Sequence, residues 1–290
     1  MSDLIDPLPD ESGLIESVRR SLEQSGYPLE MRVAAEMRRH APDAVEQSRY
    51  YRDPLTEKIR ETDVVSSWSF GRSGQWVYVF LVAECKSKPS PWVVFDAGLE
   101  SDSAAVTEPR DRTLLTDQGT GLIATLQESL VLRAPSGTSL FEGFLMPGAA
   151  PELLQPVGRG IGIAEVGKAA GGDRNGAWDA VLAATSAAQG VRADLTTGLG
   201  GLHGPWTIAL IVPLVITSGA LLACTLGNEG GLLIREMDRA ELVVRTVSQE
   251  RVRCVVVTEA GLPGLLRSAS EAAREIHDAF PGWTHNGGKG

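Results

Sequence analysis

The sequence has few of the residues that build thiolate metal sites or disulfide frameworks, with three cysteines and four histidines among 290 residues. Cys85, Cys224 and Cys254 are far apart, each lies in an apolar stretch, and neither they nor the histidines have the spacing of zinc ligands. This pattern predicts three buried free thiols in a reducing cytoplasm. It argues against a zinc protein and against a domain held together by disulfides.

Lysine is equally scarce, with five residues, and the chain carries a formal net charge of −10. Residues 12–90 contain 12 Lys and Arg against 11 Asp and Glu, whereas residues 91–290 contain 15 against 22. The sequence has no basic arm or tail. An acidic chain repels nucleic acid in general, so any such partner must bind through a local groove or with the help of metal ions.

One apolar run, residues 208–226, is nearly long enough to cross a membrane as a helix. Pro213 lies near its start, Thr217-Ser218-Gly219 gives a turn signal in its middle, and β-branched residues dominate its first half. No Lys or Arg flanks it. The run therefore predicts two consecutive buried strands joined by a tight turn, in a cytoplasmic protein without a membrane partner. A membrane helix is the less favoured alternative.

Periodic patterns along the rest of the chain alternate between helices and strands, which is typical of an α/β protein. Helices are expected over residues 14–24, 28–40, 178–189 and 265–280, with a weaker one over 122–132. Strands are expected over residues 45–51, 62–68, 76–85, 240–246 and 253–257, in addition to the two in 208–226. Strand 76–85 is apolar on both faces and should be central in the sheet.

These elements predict one domain over residues 14–282, with flexible tails at 1–13 and 283–290. Its core is expected to comprise residues 26–95 and 176–260, with an insertion over residues 96–175. Residues 1–13 are acidic and contain proline, unlike a signal peptide. In the second helix, Leu29, Val33, Ala34 and Met37 recur at helical spacing and should be buried.

A charged triplet, Glu84-Cys85-Lys86, follows directly after the central apolar strand. Because residues i and i+2 of a strand point to the same face, Glu84 and Lys86 should project together, with the Cys85 carbonyl between them. Asp63 begins the preceding strand, so it should meet them if the two strands are antiparallel neighbours. Carboxylate and carbonyl oxygens suit Mg²⁺ or Mn²⁺, and a nearby lysine can orient a water or steady the charge on an attacked phosphate. The alternative is an ordinary charged strand end, although this is the only (Asp/Glu)-x-Lys triplet in the chain.

Three stretches of the sequence, taken in order, resemble the PD-(D/E)xK nuclease superfamily, whose fold is restriction-endonuclease-like, and in particular its bacterial resolvase and Mrr-type members. They are GYPLEMRVAAEMRR at residues 26–39, EQSRYYRDPLTEKIRETDVV at 46–65 and VAECKSK at 82–88. The resemblance covers roughly residues 14–90. It implies an αβββαβ core with a mixed central sheet, extended here by additional C-terminal strands and a helix. Thr62 stands where the family pattern has a proline before its aspartate.

The family pattern implies a catalytic site that hydrolyses phosphodiester bonds with Mg²⁺ or Mn²⁺. By that resemblance, Asp63, Glu84 and the Cys85 carbonyl hold the principal ion. Glu30 on the first core helix supports it, and Lys86 positions or activates the attacking water. Glu36 lies on the same helix as Glu30 and is the alternative ligand there.

The hairpin beside this site is the expected contact surface for nucleic acid. Its basic residues could contact phosphates, and they are Arg49, Arg52, Lys58 and Arg60. Among the nearby aromatic residues, Tyr50, Tyr51 and Trp68 are the candidates for touching a base or sugar. The alternative is that the hairpin face is only solvated and that the rings belong to the core.

The sequence and the resemblance together predict a cytoplasmic Mg²⁺-dependent nuclease that acts on DNA rather than RNA, in phage defence, restriction or repair. Such folds often act as homodimers or as subunits of larger assemblies, and the same is expected here. A catalytically inactive nuclease-like module that binds nucleic acid or a partner protein is the alternative.

A second motif, GIAEVGKA at residues 162–169, has the spacing of a phosphate-binding loop. Ala169 follows its lysine where Ser or Thr is needed, so nucleotide binding is not predicted.

Overall fold

The structure of the protein is a computed structural model that describes residues 11–23, 25–72, 75–87, 90–96, 114–118, 159–166, 175–196, 206–227, 229–245 and 251–278. The helices in these ranges are α1 (Glu11–Glu23), α2 (Tyr27–Arg39), α3 (Gly176–Thr196) and α4 (Leu262–Asp278). The strands are β1 (Ala44–Arg52), β2 (Ile59–Arg72), β3 (Gln75–Lys86), β4 (Trp92–Asp96), β5 (Leu114–Gln118), β6 (Arg159–Glu165), β7 (Trp206–Thr217), β8 (Leu221–Leu226), β9 (Leu232–Met237), β10 (Arg239–Arg245) and β11 (Arg251–Thr258).

The described strands form one mixed sheet in the order β1-β2-β3-β7-β11-β10-β6-β4-β8-β9, and β5 pairs with β7 beside this path. The first three strands form an antiparallel meander. β3, β7 and β11 run parallel to one another, as do β6 with β10 and β4 with β8. The prediction of an α/β protein with a mixed central sheet is confirmed.

Strand β3 occupies the interior of the sheet, as its apolar sequence predicts. It pairs with β2 on one edge and with β7 along its whole length on the other. Alternate side chains enter two different core clusters, Leu81 and Ala83 on one face and Phe80 and Val82 on the other. A strand with both faces covered need not alternate polar and apolar residues, which explains the unbroken apolar run before Glu84.

Helices α2 and α4 cover one face of the sheet. The predicted apolar stripe of α2 is confirmed, because Leu29, Val33, Ala34 and Met37 are all buried. Burying a valine, leucine or methionine side chain contributes roughly 1.5–3 kcal/mol relative to leaving it exposed. The stripe therefore fixes α2, and Glu30 with it, against the sheet.

Helix α3 covers the opposite face and packs closely because its inward side carries small residues. Ala180, Ala184 and Ala187 are buried there. Near the end of the helix, Gly190 lies against Tyr51, and a Cβ at Gly190 would overlap the ring carbon Cδ2. The predicted helix over residues 178–189 is confirmed and extends further in both directions.

The apolar run at residues 208–226 forms two strands, as predicted, but the turn between them does not make a hairpin. β7 pairs with β3 and β11, whereas β8 pairs with β4 and β9. Pro213 lies on β7 between the segment that pairs with β5 and the segment that pairs with β11, where a residue without an N–H disturbs the sheet least. Within the described residues, no helix is long and apolar enough to cross a membrane.

The three cysteines are buried and free, as predicted. Cys85 belongs to the core on the α2 side of the sheet, and Cys254 belongs to the core on the α3 side. Burial raises the pKa of both thiols far above the ordinary range. Both thiols therefore stay protonated and pack as small apolar side chains.

Strands β4, β5, β6 and β9 are not predicted by the periodicity of the sequence. β6 begins Arg-Gly-Ile-Gly and β9 is exposed along most of its length, so neither shows a clear alternation of apolar and polar residues. β5 and β6 lie within residues 96–175, and both pair with strands outside that range. The helix expected over residues 122–132 lies outside the described residues, and the division into core and insertion remains a prediction.

Candidate active site

Strands β2 and β3 separate at the residues that the sequence singles out. Their antiparallel register ends with Val64 opposite Ala83, and β2 then continues alongside β1. Asp63 and Glu84 are the next residue on each strand beyond this last pair. The two strands are therefore antiparallel neighbours, as expected, and the two carboxylates lie at the point where they part.

Two side chains of β2 take the place of ladder hydrogen bonds at this point. The buried hydroxyl of Thr62 donates to the carbonyl oxygen of Ala83 at 3.1 Å. The backbone N–H of Cys85 donates to Oδ2 of Asp63 at 2.6 Å. Because the N–H and C=O of one residue in an extended strand point to the same side, the Cys85 carbonyl is also directed toward β2. The gap between the strands is thus lined by the Asp63 carboxylate and this carbonyl.

The ladder between β1 and β2 is interrupted at Asp63 as well. The pair that Asp63 would form with Ser48 is missing from the register, and Ser48 has a φ of 55°. A left-handed non-glycine residue in a strand costs on the order of 1–3 kcal/mol, so the surrounding structure must hold it there. Irregularities of this kind re-aim side chains next to functional sites. Asp63 is therefore released from regular pairing on both sides, which lets its carboxylate turn toward β3.

Glu84 and Lys86 project together, as their i, i+2 spacing predicts. Nζ of Lys86 lies 2.6 Å from Oε1 of Glu84 in an ion pair, with the Glu84 side chain 12% exposed and the Lys86 side chain 31% exposed. Burial lowers the pKa of Lys86, but the charge of Glu84, its hydrogen bond and the charge of Asp63 outweigh burial and raise it overall. The amine is therefore cationic at neutral pH and is held beside the carboxylates.

Glu30, Asp63 and Glu84 have raised pKa values. Burial is the largest cause for Asp63 and Glu84, and the negative charge of Asp63 further raises the pKa of Glu84. These effects outweigh the opposite influence of Lys86 on Glu84. Burial also raises the pKa of Glu30, followed by the charges of Asp63, Glu61 and Glu84. Glu30 is therefore close enough for the charges of both strand carboxylates to act on it.

The two glutamates of helix α2 have different surroundings. Glu36 accepts a hydrogen bond from Arg39 at 2.7 Å and lies 3.3 Å from the ring of His40. Glu30 lies in the first turn of α2, and its Oε1 comes close to Gly26 at the start of the helix. A carboxylate is favoured at that end of a helix dipole. Of the two glutamates that the sequence offers on this helix, Glu30 is the one whose pKa is raised by the charges of Asp63 and Glu84, whereas Glu36 pairs with its own neighbours.

A surface ion pair links α2 to the residue that follows β11. Nε and Nη2 of Arg32 donate to the two carboxylate oxygens of Glu259 at 2.6 and 3.0 Å. Glu259 follows β11, and its N–H donates to the carbonyl of Thr217 at 2.9 Å. The N–H of Ser218 in turn donates to the carbonyl of Lys86 at 3.2 Å. The helix that carries the first carboxylate and the strand that carries the lysine are thus joined through the ends of β7 and β11.

Two residues of the site are missed by the sequence reasoning, Glu61 and Thr62. Glu61 is exposed, and its charge helps to raise the pKa values of Glu30, Asp63 and Glu84. Its position two residues before Asp63 on one strand is the signal that could have identified it. Thr62 acts through a carbonyl 21 residues away in the chain, and no local pattern reveals such a partner.

The donor set fits a hard divalent cation by its chemistry. The carboxylates of Asp63 and Glu84 and the carbonyl of Cys85 are oxygen donors of the kind that Mg²⁺ and Mn²⁺ prefer. A cation would offset the burial and repulsion that raise the pKa values of both carboxyl groups. In the part of the chain that the structure describes, no group of three or more His, Cys, Asp or Glu side chains is placed to hold a metal ion. A metal held here would therefore depend on the backbone carbonyl and on water as well as on side chains.

The basic residues of the β1–β2 hairpin face carboxylates of the protein itself. The distances range from 2.6 to 3.8 Å, and the pairs are Arg49 with Glu46 and Asp194, Arg52 with Glu57, and Arg60 with Asp53. Lys58 is exposed near the tip of the hairpin. The ion pairs neutralise part of the charge that the sequence offers to phosphates, so the predicted phosphate contacts have weaker support than the carboxylate site.

The aromatic residues near the site divide into core and surface. The expectation that Tyr51 contacts a base or sugar does not agree with the structure, because its side chain is only 4% exposed and packs against α3. Trp68 is also buried, and its Nε1 donates to the carbonyl of His40 at 3.2 Å. Tyr50 is 66% exposed. Of the three rings, only that of Tyr50 offers a surface on which a base could stack.

A cleft of about 530 Å³ opens beside the site, at the ends of β7 and β11. Ser218 lines it together with three acidic residues, Glu236, Asp238 and Glu259. An acidic lining repels phosphate groups, so the cleft does not suit the backbone of a nucleic acid.

Comparisons with known proteins find no match to this chain. No protein-family model matches the sequence, no curated protein matches it, and no solved structure matches it.

Proposed function

We propose that this protein is a metal-dependent nuclease that hydrolyses phosphodiester bonds in DNA. The observation that carries the proposal is the meeting of Asp63, Glu84, Lys86 and the Cys85 backbone where β2 and β3 separate. An ordinary charged strand end would leave such groups in water. Here burial raises the pKa values of both carboxyl groups. Like charges that are held together out of water are costly and are typical of sites that bind a cation or perform chemistry.

The order of the elements supports the same proposal. α2 is followed by the antiparallel strands β1, β2 and β3, and α3 is followed by β7, which runs parallel to β3. If β4, β5 and β6, which lie between β3 and α3, are set aside, these elements follow the αβββαβ order that the sequence resemblance to the PD-(D/E)xK superfamily implies. The proposed site residues lie on the helix, the second strand and the third strand of that order.

The resemblance implies a role for each residue of the site. Asp63, Glu84 and the Cys85 carbonyl would hold Mg²⁺ or Mn²⁺, with Glu30 supporting the ion directly or through water. Bound there, the ion would supply Lewis-acid activation of the phosphate and of an attacking water. Lys86 is cationic, and its Nζ can donate a hydrogen bond to that water or to the negative charge that develops on the phosphate.

DNA is proposed as the substrate because of the sequence resemblance, and the surface adds modest support. Lys58 and Tyr50 are exposed on the hairpin beside the site, while the neighbouring arginines are paired with carboxylates. A chain with a net charge of −10 needs further positive surface to hold a polyanion. We propose that another subunit of an assembly supplies it. In a homodimer, the other expected assembly, the second copy adds the same negative net charge, so DNA binding would depend on metal ions. Defence, restriction and repair are the settings in which such an assembly would act.

A catalytically inactive nuclease-like module is the second candidate. Such a module would bind nucleic acid or a partner protein without hydrolysis. The ion pair between Lys86 and Glu84 favours it, as does the finding that the described residues hold no ready-made group of three metal-binding side chains. The overall negative charge also opposes DNA binding by the chain alone.

The two candidates differ in their response to divalent cations, so a cleavage assay separates them. We expect the wild-type protein to cleave linear or circular DNA in Mg²⁺ or Mn²⁺ and to lose this activity in EDTA. Asp63→Ala and Lys86→Ala should each lower the cleavage rate by about 100-fold or more, as is usual when a group that stabilises a transition state is removed. Single-stranded DNA and RNA, tested in parallel, determine the substrate class.

Glu36→Ala is the matched control, because Glu36 lies on the same helix as Glu30 but pairs with Arg39. Its cleavage rate should stay within about twofold of the wild-type rate. If the wild-type protein cleaves none of these substrates with either cation, the inactive module becomes the better description. Equal rates for the wild type and Asp63→Ala would show that any observed cleavage comes from elsewhere.

A further inference from the structure

The separation of β2 and β3 is accompanied by a hydrogen bond that the proposed chemistry does not itself require. Thr62 is fully buried, and its Oγ1 donates to the carbonyl of Ala83 at 3.1 Å. Ala83 is the last residue of β3 in register with β2, where it lies opposite Val64. Just beyond this pair, Oδ2 of Asp63 accepts the N–H of Cys85. The hydroxyl therefore lies where backbone pairing ends and side-chain contacts begin.

If the regular pairing of β2 and β3 continued past Val64 and Ala83, the backbone of Cys85 would have different hydrogen-bond partners. The next pair that exchanges backbone hydrogen bonds would be Thr62 with Cys85. The N–H of Cys85 would then donate to the Thr62 carbonyl and would not reach Asp63. The Cys85 carbonyl would accept the Thr62 N–H and would no longer face an open gap. In the structure this pair does not form, because the Thr62 hydroxyl donates to Ala83 and the Cys85 N–H donates to Asp63.

We propose that Thr62 is a positioning residue, whose hydroxyl keeps β2 and β3 apart at Cys85 so that Asp63 accepts the Cys85 N–H and the Cys85 carbonyl faces the gap. The inference rests on the proposed function only for the identity of the ligand, a hard divalent cation. The geometry itself can be tested without any ligand. Thr62→Val keeps nearly the same shape without the hydroxyl, whereas Thr62→Ser keeps the hydroxyl and loses only a methyl group.

The small number of cysteines makes a direct measurement feasible. Protein labelled with ¹⁵N only at cysteine gives three amide signals, from Cys85, Cys224 and Cys254. Cys224 lies on β8 and Cys254 on β11, in regular ladders away from Thr62, so both signals serve as internal controls. The Cys85 signal is assigned as the one that Cys85→Ala removes. Amide hydrogen exchange is then measured at one pH for the wild type and both Thr62 variants, without divalent cations.

We expect Thr62→Val to change the chemical shift of the Cys85 amide and to change its hydrogen-exchange rate by about tenfold. A tenfold change is the effect on an equilibrium constant of losing one hydrogen bond. The Cys224 and Cys254 signals should not change, and Thr62→Ser should behave as the wild type. An unchanged Cys85 signal in Thr62→Val overturns the proposal. So does equal behaviour of the two variants, which would assign the effect to the lost methyl group. A shift of all three signals also overturns it, because it would show general loosening of the fold.

Addition of Mn²⁺ tests the ligand separately. In the wild type, the paramagnetic ion should broaden the Cys85 signal at concentrations that leave those of Cys224 and Cys254 sharp. Thr62→Val should raise the Mn²⁺ concentration that is needed by about tenfold or more, as is typical when a residue that orients metal ligands is altered. If Mn²⁺ broadens none of the signals selectively, the proposed function fails, and the exchange data alone decide the role of Thr62. If it broadens Cys85 equally in both proteins, Thr62 does not position the site.

Discussion

Replacement of Lys86 by methionine keeps most of the side-chain volume and removes the charge that pairs with Glu84. The ion pair is short, at 2.6 Å, and the Glu84 side chain is only 12% exposed. Without the amine, a nearly buried carboxylate remains beside Asp63 with no cation. Leaving such a group uncompensated costs about 1–3 kcal/mol, which is below the cost for a fully buried pair because Lys86 itself is partly exposed. A loss of about 2 kcal/mol should lower the melting temperature of a chain of this length by about 3 °C.

The loss should depend on pH, and its sign follows from the pKa shifts. The folded-state pKa of Glu84 is raised above its usual 4.5, so below pH 4.5 the group is neutral in both the folded and the unfolded state. Lys86 then has no charge to pair with, and the variant should match the wild type. The pKa of Lys86 is raised above its usual 10.5, so the lysine contribution is fully present below pH 10.5 and is lost as the pH rises through the folded-state value. The deficit should therefore appear as the pH rises through the folded-state pKa of Glu84 and persist to about pH 10.

Urea unfolding at pH 4 and at pH 8, in EDTA, measures this difference. Lys58→Met is the matched control, because Lys58 is exposed on the hairpin, and its effect should stay within about 0.5 kcal/mol at both pH values. The double variant Glu84→Gln with Lys86→Met should recover most of the loss, because no unpaired charge is left. An equal loss at both pH values, or no loss at pH 8, would refute the reasoning that Lys86 compensates Glu84.

Two further predictions concern the carboxylates and the packing of α3. Asp63→Asn keeps an acceptor for the Cys85 N–H and removes a carboxyl group whose pKa is raised by burial. The metal-free variant should therefore be more stable than the wild type at pH 8 by about 1 kcal/mol, which corresponds to a melting temperature about 2 °C higher. The gain should vanish below the usual pKa of 3.8, and added Mg²⁺ should stabilise the wild type but not the variant. Gly190→Ala should destabilise the fold by about 1–3 kcal/mol in urea unfolding, because the added Cβ overlaps the Tyr51 ring. Gly264→Ala on α4 is its control, since the nearest atom to a Cβ there is 3.9 Å away, and it should be neutral or slightly stabilising.

Several parts of the fold could be read from local sequence patterns. The buried stripe of α2 repeats at helical spacing, and the apolar run of β3 is long enough to show a strand covered on both faces. The two-residue period of a strand likewise predicts that Glu84 and Lys86 lie on one side of β3. Where the pattern is weak the prediction fails, as for β9, whose Leu232, Leu233 and Ile234 are exposed and give no buried periodicity.

The sequence identifies which residues belong to the candidate site more readily than it identifies what each of them contacts. Residue types and spacing identify Asp63 and Glu84 as groups that meet if β2 and β3 are neighbours. They do not reveal that the ladder ends at Val64 or that Ser48 breaks the pairing on the other edge of β2. They also overestimate the positive charge of the hairpin, because the partners of its arginines cannot be identified from local sequence.

The sequence by itself determined the order of helices and strands along α2, β1, β2 and β3 and the side on which neighbouring residues project, because periods of 2 and 3.6 residues are local properties of the backbone. Only the tertiary structure decided which groups touch. The ion pair of Arg49 with Asp194 and that of Arg32 with Glu259 join residues more than 140 positions apart. Such contacts are fixed when strands and helices pack around one core, and their free energies depend on burial, which no short stretch of sequence specifies.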